Sequence, residues 1–363
     1  MNKIKHLYIH VPFCKTICSY CDFCHRIYDK NTVTKWLDTI ALEIIDKCKD
    51  NYETIYIGGG TPTSLSIEEL DKLLSLIKPY TGNVLEYTVE VNPESLDIDK
   101  IKLFNKYGIN RISMGVQSSN NDLLSSLNRK HSFEDVKEKI KLLKENGLNN
   151  ISIDLMYSLP KQTIEILNKT IDDFISLDIP HVSIYSLNVE ENTVFGKKGI
   201  TPLDEETEAD MYELIIKRLN DVGYKQYEVS NFSKEGYESK HNISYWKYED
   251  FLGISLGASS KVGNNRYTNT SNFNDYFIDY NLKSEDIKLS KEDMMFENIM
   301  MSLRMKEGLN IDEFYKKYNC NLLEVYSNAL KNNNLYIENG YLKAKELAIL
   351  NNTLLDFMDF EKI

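Results

Sequence analysis

The sequence predicts an α/β fold in which a partial (β/α)6 barrel is followed by a small, winged-helix-like α+β domain. Six short apolar runs alternate with segments of helical periodicity over the first half of the chain, which indicates parallel strands joined by helical crossovers. Several of these runs are almost wholly apolar, as expected of strands covered on both faces. With 363 residues, the chain is long enough for one large domain and a smaller one.

The strands and helices of the barrel follow each other in regular alternation. The predicted strands span residues 7–11, 54–57, 87–91, 111–116, 151–155 and 181–187. The predicted helices between them span residues 33–48, 66–77, 97–107, 133–146 and 163–177. In such barrels the chemistry lies at the carboxyl ends of the strands. Polar residues at these ends are therefore candidates for a functional site.

The pattern changes in the last third of the chain. Residues 226–274 are rich in Tyr, Ser, Asn and Gly and are predicted to form extended loops with short strands. Helices are expected at 291–304, 310–317 and 322–332, and short strands at 335–337 and 341–343 flank the hairpin signal Asn339-Gly340. We therefore divide the chain into a barrel (1–225), an aromatic and glycine-rich extension (226–285) and a winged-helix-like domain (286–363).

The charge balance excludes some classes of partner. The chain has 43 basic and 55 acidic residues, a net charge of −12, which argues against a nucleic-acid surface. Winged-helix modules often bind DNA, but this acidic balance favours a packing or partner role. The N-terminus lacks the pattern of a signal peptide, and no run of eighteen apolar residues occurs. We therefore expect a cytoplasmic protein.

Three closely spaced cysteines form the strongest chemical signal. Cys14, Cys18 and Cys21 follow the first strand with the spacing CxxxCxxC, whereas Cys48 and Cys320 stand alone and are interpreted as small buried hydrophobes. Thiolates suit iron–sulfur clusters or zinc. A structural zinc site usually has four ligands, and no second cysteine pair follows at the expected distance. The spacing therefore favours a 4Fe–4S cluster with one iron open to a small molecule, and a zinc-bound regulatory protein is the weaker alternative.

Glycines and polar residues mark the ends of other strands. Gly58-Gly59-Gly60-Thr61-Pro62 follows the second strand, where glycines permit either a tight turn or close approach to a ligand. Glu90, Gln117 and Asp154 lie at the ends of later strands, and Arg129 follows nearby. A buried acid or amide is costly unless it is hydrogen-bonded or faces a polar cavity. Structural pairing, such as Arg129 with Asp154, is one interpretation, but the placement at successive strand ends favours ligand contact.

A histidine in an aromatic setting lies in the extension. His241 begins the string HNxxYW, which ends with Tyr245 and Trp246. Ordinary packing explains most such histidines. His is nevertheless a common axial ligand of haem iron, and a nearby aromatic pair suits a flat macrocycle. We therefore treat these three residues as candidate haem contacts.

The cysteine motif and the aromatic-rich loop after it resemble the radical S-adenosylmethionine (SAM) superfamily. Cys24 extends the motif to CxxxCxxCxC, which is similar to the branch of oxygen-independent coproporphyrinogen III oxidase and the HemW haem chaperones. The resemblance implies a TIM-like radical SAM barrel, a 4Fe–4S cluster on Cys14, Cys18 and Cys21, and SAM chelated at the open iron, with Cys24 not a ligand. It further implies SAM contacts at Tyr8, Tyr20, Gly59, Gly60, Thr61, Glu90, Gln117, Arg129 and Asp154.

Two features distinguish the members of this branch. HNxxYW is similar to the haem-binding signature of the HemW family, and only thirteen residues precede Cys14, where the oxidase has a longer segment. The resemblance covers essentially the whole chain, with departures at Lys161, where relatives usually have Gly, and at Ser259-Ser260, where a His is frequent. It implies haem as cargo, contacted by His241, Tyr245 and Trp246, and passed to an acceptor haemoprotein.

The resemblance leaves activity and partners open. SAM binding is expected, but oxidase activity, the radical decarboxylation of two propionates of coproporphyrinogen III, is the alternative rather than the favoured function. The acceptor and the electron donor are not identified by the sequence. Any contact of the protein with a membrane is expected to be peripheral and to be made through an acceptor.

Overall fold

A computed structural model describes residues 3–358, and its central feature is one sheet of twelve strands. Two smaller sheets, of three and two strands, bring the strands of the described residues to seventeen. They are β1 His6–Val11, β2 Phe13–Cys14, β3 Arg26–Ile27, β4 Thr54–Gly59, β5 Glu86–Val91, β6 Arg111–Gln117, β7 Ile151–Tyr157, β8 His181–Ser186, β9 Lys225–Gln226, β10 Asn231–Ser233, β11 Phe251–Ile254, β12 Ser259–Val262, β13 Asn265–Asn269, β14 Lys283–Lys288, β15 Leu309–Asn310, β16 Leu335–Glu338 and β17 Tyr341–Ala344.

Seven neighbouring strands of this sheet are parallel, in the order β11, β1, β4, β5, β6, β7 and β8. Antiparallel strands extend both edges, with β12 to β14 beyond β11, and β10 and β9 beyond β8. The strands at the two ends of the parallel set are not paired with each other, so the barrel is open. The predicted fold class is confirmed, and all six predicted strands are present.

Helices cover the outer face of the sheet and make up much of the C-terminal part. They are α1 Lys30–Lys47, α2 Ile67–Ile77, α3 Ile98–Tyr107, α4 Asn121–Ser126, α5 Phe133–Glu145, α6 Ile164–Ser176, α7 Val194–Lys197, α8 Glu205–Asp221, α9 Lys240–Trp246, α10 Phe273–Ile278, α11 Lys291–Ser302, α12 Ile311–Tyr318, α13 Leu322–Val325 and α14 Leu350–Leu355. Ser66 and Ser132 begin α2 and α5 with reciprocal capping boxes, which satisfy backbone N–H groups that a helix start leaves free.

The alternation of side chains along each strand separates an apolar face from a polar one. Ile57 and Ile153 are fully buried in the cluster of apolar residues between sheet and helices. Their neighbours Glu90, Ser113 and Asp154 point to the opposite face, where they line a cavity inside the barrel. The helices therefore supply the core, while the interior of the barrel is left for polar chemistry.

The C-terminal part has a core of its own. Phe314 and Leu342 belong to a buried apolar cluster formed within residues 295–357. A three-stranded sheet in the order β15, β17, β16 packs with the helices, as a winged-helix-like module requires. The predicted helix 322–332 is shorter than expected: α13 ends at Val325, and a 3-10 turn follows at Ala329–Lys331.

The extension is more closely joined to the barrel than its composition suggests. Strand β11 pairs with β1 in parallel, and Leu252 and Ile254 belong to the apolar cluster of the barrel. The domain boundaries at residues 225 and 285 remain predictions. Within residues 3–358, no helix combines the length and apolar character that crossing a membrane requires.

Candidate functional site

The cysteine loop and the carboxyl ends of the strands face one cavity of about 330 Å³ inside the open barrel. Eleven of the twelve residues predicted for the cluster and SAM line this cavity: Cys14, Cys18, Tyr20, Cys21, Gly59, Gly60, Thr61, Glu90, Gln117, Arg129 and Asp154. The structure thus brings together residues that are up to 140 positions apart in the sequence. Their roles toward a ligand stay predictions.

Polar groups from outside the loop reach two of the three cysteine sulfurs. The Thr61 hydroxyl donates to Cys14 Sγ at 3.6 Å, and Arg129 Nη1 donates to Cys18 Sγ at 3.4 Å. Burial raises the pKa of the Cys14 thiol to about 11 and that of Cys21 to about 12. Binding of a metal centre to these sulfurs would therefore release protons. Donors at the sulfurs favour the charged thiolate that such a centre needs.

Cys24 lies outside this group. Its Sγ lies 3.7 Å from the carbonyl oxygen of Ser271, and its Cβ packs against Gly257. Burial raises the pKa of its thiol to about 11.

Among residues 3–358, no group of three His, Cys, Asp or Glu side chains is placed to hold a single metal ion.

The glycine run is required by packing as well as by any ligand. Gly59 has φ +105°, and a Cβ added there would lie 2.4 Å from the ring of His10. A Cβ on Gly60 would lie 2.8 Å from the carbonyl oxygen of Phe13, which accepts a hydrogen bond from the Thr61 N–H. Only glycine permits this close approach of β4 to β1 and the cysteine loop. The turn therefore fixes the loop relative to the sheet.

Glu90 is held in position by two donors at the wall of the cavity. Its carboxylate accepts from the Tyr56 hydroxyl at 2.7 Å and from the Gly59 N–H at 3.0 Å. Burial raises the pKa of Glu90 to about 7, and burial also raises the pKa of Asp154 to about 6. Two acids with raised pKa values in one cavity are a feature of functional sites.

Arg129 does not pair with Asp154, which was one interpretation of the sequence. Its Nη2 donates to Asn92 Oδ1 at 2.9 Å and to the carbonyl oxygen of Gly115. No ion pair joins it to Asp154 within the described part of the chain, and Asp154 instead accepts from the Ser113 hydroxyl at 3.4 Å. Arg129 therefore faces the sulfur of Cys18 rather than a carboxylate.

Sequence reasoning missed several residues of the cavity wall. Asn92 donates to the Thr61 hydroxyl at 3.1 Å and so connects it to Arg129. The Tyr185 hydroxyl donates to Gln117 Oε1 at 3.1 Å, and Gln117 has φ +70°, an uncommon conformation for a residue with a side chain. Asn92 and Tyr185 lie, like the predicted residues, toward the carboxyl ends of parallel strands. The alternation of inward positions along each strand is the signal that could have found them.

Tyr8 is the one predicted cavity residue that lies below the cavity. Its hydroxyl is 3.0 Å from His10 Nδ1, and its ring packs on that of Tyr56 at 6.2 Å. His10 in turn lies beneath Gly59, and its Nε2 is 2.7 Å from the carbonyl oxygen of Cys24. Tyr8 thus supports the layer on which the glycine turn rests.

The HNxxYW string lies at the opposite end of the barrel. His241 is 1% exposed, its Nδ1 is 2.7 Å from the Thr54 hydroxyl at the start of β4, and its Nε2 is 2.7 Å from the Tyr245 hydroxyl. Burial lowers the pKa of His241 to about 3, so the ring is neutral. Trp246 packs beneath the guanidinium of Arg304 at 5.7 Å. Both ring nitrogens of His241 are thus engaged within the protein.

Comparison with known proteins gives consistent matches. The Radical SAM superfamily model matches residues 8–174, and that of the HemN C-terminal domain matches residues 289–350. The chain is 38% identical to the haem chaperone HemW of Lactococcus lactis subsp. lactis (strain IL1403), covering 90% of this chain and 88% of that protein. It is 36% identical to HemW of Bacillus subtilis (strain 168), covering 95% and 94%.

One solved structure shares the complete fold. The coproporphyrinogen III oxidase HemN from Escherichia coli, described as a radical SAM enzyme, superposes with a TM-score of 0.85 over 98% of this chain and 90% of that one. The two sequences are 20% identical, so this likeness concerns the fold alone.

Proposed function

The chain belongs to the HemW family of haem chaperones, and from this premise we propose that it binds a 4Fe–4S cluster, SAM and haem and delivers haem to acceptor haemoproteins. The observation that carries the proposal is the similarity to HemW proteins over nearly the whole length of both chains. The cavity supports it, because the three cysteines and the strand-end residues that the family motif identifies face the same space.

The donor set of the cavity fits an iron–sulfur cluster. Cys14, Cys18 and Cys21 offer three soft sulfur ligands from one loop, and Thr61 and Arg129 place donors at two of the sulfurs. When bound, such a cluster would supply an electron for the reductive chemistry of SAM. The contribution of the protein is to hold the loop against β1 and β4 and to provide polar partners around the open position.

The other cavity residues suit SAM, which carries an amino group, a carboxylate, a ribose and an adenine. We assign the amino group to the backbone at residues 59–61 and to Glu90, whose carboxylate would stay ionised beside a cation. We assign the ribose to Gln117 and Asp154 and the carboxylate to Arg129, all of which line the cavity. Tyr20 lies at the loop end of the cavity, whereas Tyr8 supports the floor.

The haem-contact role of His241, Tyr245 and Trp246 remains a proposal with a structural condition. Because both nitrogens of His241 are hydrogen-bonded inside the protein, direct ligation of haem iron would need the start of α9 to move.

The proposed setting is the cytoplasm. The proposed partner is an acceptor haemoprotein, and any membrane contact is peripheral and made through that acceptor.

The cluster is tested by anaerobic reconstitution followed by iron and sulfide analysis. We expect one 4Fe–4S cluster per chain, lost when Cys14, Cys18 or Cys21 is replaced by alanine. Cys24→Ala is the matched control, because the sulfur of Cys24 points to Ser271 and should be dispensable. Stoichiometric zinc without iron or labile sulfide would contradict the proposal.

Haem binding is tested on the same preparation by titration with haem, followed by absorbance. We expect saturable binding that His241→Ala weakens. Absence of saturable haem binding would contradict the chaperone function. The fold shared with the Escherichia coli oxidase keeps coproporphyrinogen III oxidation as the alternative, which formation of vinyl product would distinguish.

A further inference from the structure

A second concave surface lies at the amino ends of β1 and β11, at the opposite end of the barrel from the cysteine loop. It encloses about 920 Å³ between the barrel and the helices α11 and α12. Six lysines line it: Lys3, Lys5, Lys247, Lys261, Lys291 and Lys317. We call this surface the lysine groove. Its basic lining stands out in a chain whose net charge is −12.

Two ammonium groups are held close together in the groove. Lys261 is 5% exposed and pairs with Asp250 at 2.7 Å. Lys317 Nζ donates to the carbonyl oxygen of Tyr248 at 3.2 Å, and Lys261 Nζ approaches the same oxygen at 3.4 Å. Desolvation, and then the charge of Lys261, lower the pKa of Lys317 to about 8. The carboxylates of Asp250, Glu249 and Glu313 partly offset the charge of Lys317. The groove is nevertheless lined by six lysines against two acids, Glu249 and Asp250, so an added anion would be stabilised there.

The remaining lysines add to the positive charge. Lys5 pairs with Glu53 and Lys247 with Glu307, both at exposed positions where such pairs are weak. Within residues 3–358, neither Lys291 nor Lys317 forms an ion pair at 4 Å or less, although Asp250, Glu249 and Glu313 lie near enough to Lys317 to raise its pKa. The lining of the groove therefore carries an excess of positive charge, in which Lys291 and Lys317 have no ion-pair partner among the described residues.

Aromatic and apolar groups lie directly beside these cations. The ring of Tyr248 lies 4.1 Å from Lys261 Nζ and 4.7 Å from Lys317 Nζ. Met294 and Tyr318 contribute further lining. A ligand that matches this surface is anionic on one edge and flat and apolar elsewhere. Haem has that form, because its two propionates extend from one edge of an apolar ring.

We propose that the lysine groove holds the propionate edge of haem, with Lys317 and Lys261 as the charge partners of the propionates. This inference rests on the proposed function, since it locates the cargo of a haem chaperone. The haem would then bind outside the barrel, with the barrel interior between it and the cysteine loop.

The groove is also connected to the HNxxYW string. Helix α9 ends at Trp246, and the chain continues directly into the groove. Glu249, a groove residue, has its Oε2 2.8 Å from His6 Nε2, and His6 Nδ1 is 2.8 Å from the Thr54 hydroxyl. That hydroxyl is 2.7 Å from His241 Nδ1. His241 is thus a positioning residue: it fixes His6 and Glu249 through Thr54 while remaining buried.

The experiment is a haem titration of the reconstituted full chain, followed by Soret absorbance. We expect Lys317→Met to weaken haem binding about three- to tenfold, the range for a partly exposed charge pair. Lys316→Met is the matched control, because this neighbouring exposed lysine does not line the groove. The dimethyl ester of haem, which lacks the two negative charges, should bind wild type and Lys317→Met equally.

The outcomes separate the groove from the function on which it rests. If wild type binds haem and Lys317→Met binds it as tightly as Lys316→Met, the groove assignment is overturned and the chaperone function stands. If wild type has no haem affinity, the proposed function falls and the groove assignment with it. Circular dichroism of each variant checks that it is folded. If Lys317→Met binds haem more weakly than wild type but binds the dimethyl ester equally well, the loss of affinity comes from the lost charge pair and not from misfolding.

The positioning role has a separate spectroscopic readout. Thr54→Val breaks the hydrogen-bond chain without altering His241, and we expect it to weaken haem binding as His241→Ala does. In both variants the absorbance spectrum of bound haem should match that of wild type, because the iron ligand is unchanged. A shifted Soret band in His241→Ala alone would show that His241 is an iron ligand and would overturn the positioning role.

Discussion

Replacement of Gly59 by alanine tests how closely β4 must approach β1 beneath the cavity. The backbone at Gly59 has φ +105°, which costs a residue with a Cβ about 1–2 kcal/mol. The new methyl group would lie 2.4 Å from the His10 ring, so the ring must move. That movement would disturb its contacts with Tyr8 and with the carbonyl oxygen of Cys24, each worth about 1 kcal/mol. We expect the free energy of unfolding to fall by about 3–4 kcal/mol.

The assay is urea unfolding of the anaerobic protein, followed by circular dichroism. Gly108→Ala is the matched control, because Gly108 has φ +78° but no atom within 4 Å of an added Cβ. It should lose only the conformational part, about 1 kcal/mol. Equal losses in the two variants would refute the claim that His10 packs against this turn. Gly59→Ala should also weaken SAM binding, since the turn carries Thr61.

Two further predictions concern charge and backbone strain. The pKa of Glu90 is raised by burial to about 7, so its contribution to the stability of the cluster-free protein is present at low pH and is lost as pH rises through 7. The loss of unfolding free energy is at most about 3 kcal/mol, and the exposure of the carboxyl to the cavity reduces it. Glu90→Gln should therefore flatten the plot of unfolding free energy against pH. An unchanged slope would contradict this prediction. Lys161 has φ +68°, which is unfavourable for a residue with a Cβ, so Lys161→Gly should stabilise the protein by about 0.5–1 kcal/mol in urea unfolding. Destabilisation by this replacement would show that the backbone at Lys161 is not strained.

The barrel was predictable because its signals are local. Strands that helices cover on one side appear in the sequence as apolar runs. Polar residues that point into the barrel, such as Glu90 and Asp154, interrupt these runs at regular positions. The cysteine spacing lies within one loop and needs no tertiary information. Strand β11 was predictable only as a short strand: Phe251–Ile254 contains a glycine, and its parallel pairing with β1 joins segments about 245 residues apart.

The parts of the site that were not predictable depend on long-range contacts. The sequence allowed Arg129 to pair with Asp154, but the fold places Asn92 and a backbone carbonyl nearer to its guanidinium. The direction of His241 is another case. A histidine in a short helix can point either way, and only the position of Thr54 at the start of β4 shows that it points inward.

The most direct test of the account compares haem binding with porphyrinogen turnover in one anaerobic preparation that contains the cluster, SAM and a reductant. We predict that the chain binds haem saturably and that coproporphyrinogen III keeps its propionates, as judged by mass analysis of the porphyrins. Catalytic conversion of two propionates to vinyl groups, with no measurable haem affinity, would contradict it and identify an oxidase.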